Sequence, residues 1–149
     1  MRHLALVLTL ACLLPARAQN APETPAEAPA ESPLARSLAL ELAGAFANDG
    51  FKLRDGFWSG TLDTSKPLFL QVNLFAGNQY WFSAAAAKPA RKIAVSIFDA
   101  KGHPVAVEKY EDGASAAAGI EPTLSGPYIV RVELLEGEKS DFCLIYSYK

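Results

Sequence analysis

After Gly50 the apolar residues fall at every second position, and that period leaves little choice of fold. Leu68, Leu70, Val72 and Leu74 alternate with Phe69, Gln71, Asn73 and Phe75. Successive side chains of a strand point to opposite sides, so this is a strand with one face on a core. Ile93, Val95 and Ile97 repeat the pattern, as do Tyr128, Val130, Val132 and Leu134, and Phe142, Leu144, Tyr146 and Tyr148 make a last strand. Between the runs lie Ala76-Gly77-Asn78, Asp99-Ala100-Lys101-Gly102, Ser125-Gly126-Pro127 and Glu136-Gly137, residues of the kind hairpin turns need. Short strands at regular spacing, roughly seven to nine of them and without a helical period between, predict an all-β fold, an antiparallel β-sandwich over residues 51–149. Ala84 to Ala87 and Ala114 to Ala118 offer little apolar surface and read as strand ends or loops.

Upstream of Gly50 the spacing is different. Leu34, Leu38, Leu42 and Phe46 recur every fourth residue, which places them on one stripe of an N-terminal amphipathic helix over residues 34–50. Ser32 is its expected N-cap, Pro33 sits in the first turn where its missing N–H costs nothing, and Asn48-Asp49-Gly50 ends it. A helix this short is marginal alone, so it must pack on something. The outward sheet face carrying Phe69 and Phe75 is the apolar surface available to it, and a partner-binding helix is the alternative.

Residues 19–33 are mostly Ala, Pro and Glu, with prolines at 22, 25, 29 and 33. Such a segment lacks the apolar surface to offset chain entropy and is expected to be a disordered spacer. Residues 1–18 have the parts of a signal peptide: basic Arg2, an apolar run from Leu4 to Leu14 that is too short to span a bilayer, and the small-x-small site Ala16-Arg17-Ala18. Cleavage is expected before Gln19, which makes the protein periplasmic or secreted. Acylation of Cys12 as a lipoprotein is disfavoured, because Thr9 is polar and the apolar run continues through Leu13-Leu14.

Loss of Arg2 and Arg17 would leave 12 of the 14 basic side chains against 16 acidic ones, a net of −4 with histidine neutral. An acidic surface argues against nucleic acid or anionic lipid as a partner. No later stretch has the length of a transmembrane helix, so no membrane insertion is expected after cleavage. Cys143 would be the remaining cysteine, in the apolar run Phe142-Cys143-Leu144-Ile145, and it reads as a small buried hydrophobe rather than a reactive thiol.

The same inventory argues against catalysis. His103 is the one histidine after residue 18, in a Gly-His-Pro turn, and nothing pairs it with a nucleophile and an orienting acid. Gly56-Phe57-Trp58-Ser59-Gly60 has the wrong spacing for a nucleophile elbow. Zinc would require several His or Cys ligands at close spacing. Asp99, Glu111, Asp112 and Asp141 lie near expected strand ends but form no calcium loop. No cofactor is expected.

Three segments carry a family resemblance. Residues 72–82, a strand, an Ala-Gly turn and an aromatic returning strand, residues 93–105, an apolar strand followed by Asp-x-x-Gly, and Ser125-Gly126-Pro127-Tyr128-Ile129-Val130-Arg131-Val132 together resemble the bacterial pre-peptidase C-terminal domain. The resemblance covers roughly residues 57–148 and implies a small exported sandwich of jelly-roll type that is not itself catalytic. Family members usually follow a secreted peptidase, and here only a spacer and a helix precede the β segment.

Binding is left as the expected role. Trp58, Phe69, Phe75, Tyr80 and Trp81 are the candidate ligand surface, since outward aromatics stack on sugar rings or anchor a protein. The leading expectation is a non-catalytic accessory or interaction module of a bacterial envelope, its partner a protein or a glycan. A carbohydrate-binding module using Trp58, Tyr80 or Trp81 is the alternative, and a small hydrolase a remote one.

Overall fold

The computed structural model describes residues 32–105 and 107–149. The signal-peptide expectation, and the spacer as far as residue 31, lie outside the described residues. Nine strands follow one α-helix and a short 3₁₀ turn: α1 (Pro33–Ala45), η1 (Phe46–Asp49), β1 (Lys52–Leu53), β2 (Trp58–Leu62), β3 (Leu68–Leu74), β4 (Tyr80–Ala86), β5 (Ala90–Phe98), β6 (Glu108–Asp112), β7 (Ser115–Ile120), β8 (Gly126–Gly137) and β9 (Ser140–Tyr148).

The strands make two antiparallel sheets. In the larger, β1 and β2 both pair with β9, followed by β4, β7 and β6; in the smaller, β8 lies between β3 and β5. The apolar sides of both sheets meet in one core, in which Leu74, Phe82, Ile93, Val95, Val130, Val132, Phe142 and Leu144 are all but fully buried. Each residue whose alternation marked a strand keeps its side: Tyr128, Val130, Val132 and Leu134 face the core, and Ile129, Arg131 and Glu133 face outward.

Two of the expected turns are present but lead into the other sheet. Ala76-Gly77-Asn78 turns from β3 to β4, and Asp99–Gly102 is a tight turn, its Gly102 N–H donating to the Asp99 carbonyl at 3.0 Å and Phe98 bridged to Pro104, before the chain crosses to β6. Ser125-Gly126-Pro127 opens β8 rather than turning, and β8 passes to β9 in the opposite sheet at Glu138-Lys139. These connections are arches between layers. The tight hairpin within one sheet is β6–β7, where Asp112 pairs with Ser115 across Gly113-Ala114.

The alanine stretches are a second correction. They lie in the centre of the larger sheet, where Ala84 pairs with Ala116, and Ala84, Ala85, Ala86, Ala116, Ala117 and Ala118 are buried. Ala85 lies on the α1 side of β4, where a small side chain lets the helix approach, whereas Ala84, Ala86, Ala116 and Ala118 face the core between the sheets.

The helix itself is rotated and placed elsewhere than expected. Ser32 caps it by accepting from the Ala35 N–H at 3.4 Å, Pro33 starts it, and Gly50 ends η1 at φ 87°. Its contact stripe is Ala35, Ala39 and Ala43, packed on Ala85, Cys143 and Ile145. Leu38 and Leu42 flank the seam half-buried, and Leu34 is exposed. Alanine combines the best helix propensity with the smallest side chain that still buries apolar surface, so the helix axis approaches the sheet closely. The Phe69 and Phe75 face is therefore not the one covered: both belong to the β3 side of the smaller sheet and are 57% and 61% exposed.

Candidate functional site

The five candidate aromatics do not form one platform. Trp81 points to the helix side of the larger sheet, stacked on Phe46 with centroids 4.2 Å apart and planes at 10°. Its other side lies over Gly119, the cross-strand partner. Phe69 stands on the open face of the smaller sheet, opposite Arg131. That arginine lies over Phe98, 5.2 Å from the ring centroid, and pairs with Glu133 at 2.6 Å.

Trp58, Phe75 and Tyr80 do come together, around a residue the sequence reading left in the core pattern. Tyr146 on β9 is 6% exposed. Trp58 stacks on it at 5.6 Å and Tyr80 meets it at 6.5 Å between centroids. Trp58 lies across from Leu144 in the β2–β9 ladder, and Tyr80 across from Tyr148 in the β4–β9 ladder, so β9 sets both positions.

A groove opens at this cluster because β3 is an edge strand. Its free side faces the β1–β2 segment, and the space between, about 510 Å³, is lined by Arg54, Asp55, Trp58, Gln71, Asn73 and Tyr146 among others. A chamber of about 270 Å³ adjoins it, sharing Arg54, Asn73, Phe75 and Tyr146 and adding Asn78, Tyr80 and Tyr148. The groove thus has aromatic walls with amides, one guanidinium and one carboxylate.

Its polar groups are held in place. The Arg54 N–H donates to the Tyr146 carbonyl at 3.0 Å, and the Arg54 Nη1 donates to the Tyr146 hydroxyl, with the guanidinium 5.2 Å from the ring centroid. The Tyr80 hydroxyl accepts from the Phe75 N–H at 3.0 Å and from Asn78 Nδ2 at 3.1 Å. Burial pushes the Tyr146 phenol above its ordinary pKa, the Arg54 charge and hydrogen bond acting in the opposite direction.

A second cleft of about 390 Å³ lies beside Trp81, bordered by Phe51, Gln79, Glu108 and Glu121. His103 is on the surface with Nδ1 3.2 Å from Asp99 Oδ2. Among the described residues no group of three or more His, Cys, Asp or Glu side chains is placed to hold a metal ion, and no helix is long and apolar enough to cross a membrane.

Arg54, Asn73, Asn78 and Tyr146 were missed from sequence. Tyr146 shares its alternation with Phe142 and Leu144 and so reads as plain core. Arg54 and Asp55 belong to no motif or alternating run, and only the packing of β3 beside them gives those residues a common surface. No protein-family model matches the chain, and no curated protein matches it.

Proposed function

We infer that the protein is a non-catalytic accessory module of a bacterial envelope, exported through residues 1–18, that binds an envelope component in the groove between β3 and the β1–β2 segment. The jelly-roll form and membership of the pre-peptidase C-terminal family belong to this reading and are supported by the motifs at residues 72–82, 93–105 and 125–132. The observation that carries it is the convergence of Trp58, Phe75, Tyr80 and Tyr146 on one groove with Arg54, Gln71 and Asn73 along it. Large rings beside a few fixed hydrogen-bonding groups are the usual make-up of a small-ligand site.

Between a protein and a glycan, the groove favours the glycan. A sugar ring presents an apolar face to stack on Trp58 and hydroxyls that pair with side-chain amides such as Gln71 and Asn73. The sugar-binding role weighed for Trp81 loses support, since Phe46 occupies one face of that ring and Gly119 lies against the other.

Glycan-array screening and affinity capture from envelope extracts test the reading with the full chain. Trp58→Ala is expected to abolish the array signal and remove the captured ligand, whereas Phe69→Ser leaves both unchanged. Equal signals from wild type and Trp58→Ala, or dependence on Phe69 instead, would move the site to another surface.

A further inference from the structure

The chamber at the end of the groove contains two phenols whose hydrogen bonds are half-complete. Tyr80 is 4% and Tyr146 6% exposed, and both line it. Protein donors already use the acceptor side of each oxygen: the Phe75 N–H and Asn78 Nδ2 on Tyr80, and Arg54 Nη1 on Tyr146. A phenol that accepts still has its own O–H to donate. Among the described residues neither O–H has an acceptor. Each O–H is therefore free to donate to an acceptor that enters the chamber.

The charge of that acceptor follows from the remaining walls. No carboxylate lines the chamber, and Arg54 places a guanidinium there with no carboxylate partner among the described residues. The backbone hydrogen bond to Tyr146 anchors the Arg54 main chain, and the Nη1 bond to the Tyr146 hydroxyl holds the guanidinium. Two hydroxyl donors and a cation around one space match a carboxylate, whose two oxygens only accept. Phe75 and Tyr148 supply apolar walls on either side.

The adjoining groove differs. It holds Asp55, which repels a second carboxylate, together with Trp58 and Gln71. Resting on the reading of this groove as the ligand site, we propose that the chamber is a carboxylate subsite for the uronic-acid unit of an acidic oligosaccharide, with a neutral sugar next to it against Trp58.

A hyaluronan tetrasaccharide, in which glucuronic acid alternates with an N-acetylated neutral sugar, is a suitable probe. In titration calorimetry with the full chain, the free acid is expected to bind at least tenfold more tightly than its methyl ester. Tyr80→Phe keeps the ring and removes the O–H, and Arg54→Gln removes the charge; each is expected to lower affinity at least tenfold. Thermal melts of both variants establish that the fold is retained, and Arg54→Lys is expected to restore part of the affinity. Equal binding of acid and ester, absence of binding by either, or tighter binding of a peptide with a free C-terminal carboxylate would overturn the subsite. Should capture of an envelope ligand still depend on Trp58 in those cases, the groove reading stands without it; capture indifferent to Trp58 removes both.

Discussion

A side chain on Gly119 would put its Cβ 2.7 Å from Cε2 and Cζ2 of Trp81, closer than carbon atoms pack. Trp81 is held on its other side by Phe46, so the ring has nowhere to retreat without breaking the 4.2 Å stack. Gly119→Ala is expected to lower stability by about 1–3 kcal/mol, the usual cost of overpacking, and to shift the tryptophan fluorescence; urea titration with fluorescence detection measures both. The opposite sign is expected at Ser83, whose buried Oγ has no hydrogen-bond partner among the described residues. Ser83→Ala removes a desolvated hydroxyl and should raise stability by about 1 kcal/mol, read as a higher urea midpoint at unchanged slope. Neither residue was distinctive in the sequence. Gly119 reads as one glycine among ten, and its role depends on a tryptophan 38 positions away that reaches it only across the β4–β7 ladder.

At the level of elements, legibility followed the number of faces buried. In β3 and β8 one face meets the core and the other is open, so hydrophobicity alternates and the strands could be read directly. In β4, β7 and β9 both faces are covered. Their nearly continuous burial erases the period, and Ala84 to Ala87 and Ala114 to Ala118 accordingly read as strand ends or loops. The helix was recognisable from its cap and its end, but its leucines pointed to the wrong stripe, since apolar periodicity favours large residues whereas close helix-on-sheet packing selects small ones. Ala39→Leu is therefore expected to cost about 1–3 kcal/mol, whereas Leu34→Ser, at an exposed position, should change stability by no more than about 0.5 kcal/mol; chemical denaturation of the two variants compares them. The β5–β6 arch adds a pH effect. Asp99 accepts from the backbone N–H groups of His103 at 2.9 Å and Lys101 at 2.8 Å, which holds its carboxyl below the usual value of 3.8. A carboxylate with a depressed folded-state pKa stabilises at neutral pH, and its contribution is lost as pH falls through that lowered value. An NMR titration of the Asp99 carboxyl carbon is expected to show a midpoint below 3.8 that rises to the ordinary value when urea unfolds the chain.

Across the whole molecule, α1 acts as a third layer on one sheet while the face bearing Phe69 and Ile129 has no counterpart among the described residues. That asymmetry leaves the β3 edge open as a groove wall, and no local sequence pattern could reveal it. The fold class was readable because it needs only periods and turns. Of the residues lining the candidate groove, Trp58, Phe75 and Tyr80 are conspicuous in the sequence as rings, whereas Arg54, Asn73 and Tyr146 are brought beside them only by the packing of separate strands.

The layered arrangement also predicts how the molecule opens. The seam between α1 and the sheet consists of three alanines on Ala85, Cys143 and Ile145. At about 0.8 kcal/mol per buried methyl group and about 1.5–3 kcal/mol for an isoleucine, burial of its four alanines and Ile145 is worth on the order of 5–6 kcal/mol. The core between the sheets is much larger and does not include α1, so the helix is expected to detach before the sandwich unfolds, as a local opening. Cys143, 1% exposed beneath it, reports that event. Alkylation of Cys143, followed by mass spectrometry of the peptide that contains it, should be slow in the native full chain and at least tenfold faster in Leu38→Pro, where proline interrupts the helix at its middle turn. The accelerated labelling is expected well below the urea concentration at which the far-ultraviolet circular dichroism of the strands changes. If labelling and core unfolding instead coincide in both proteins, the helix and the sandwich form a single cooperative unit, and α1 is part of the core rather than a cover laid over it.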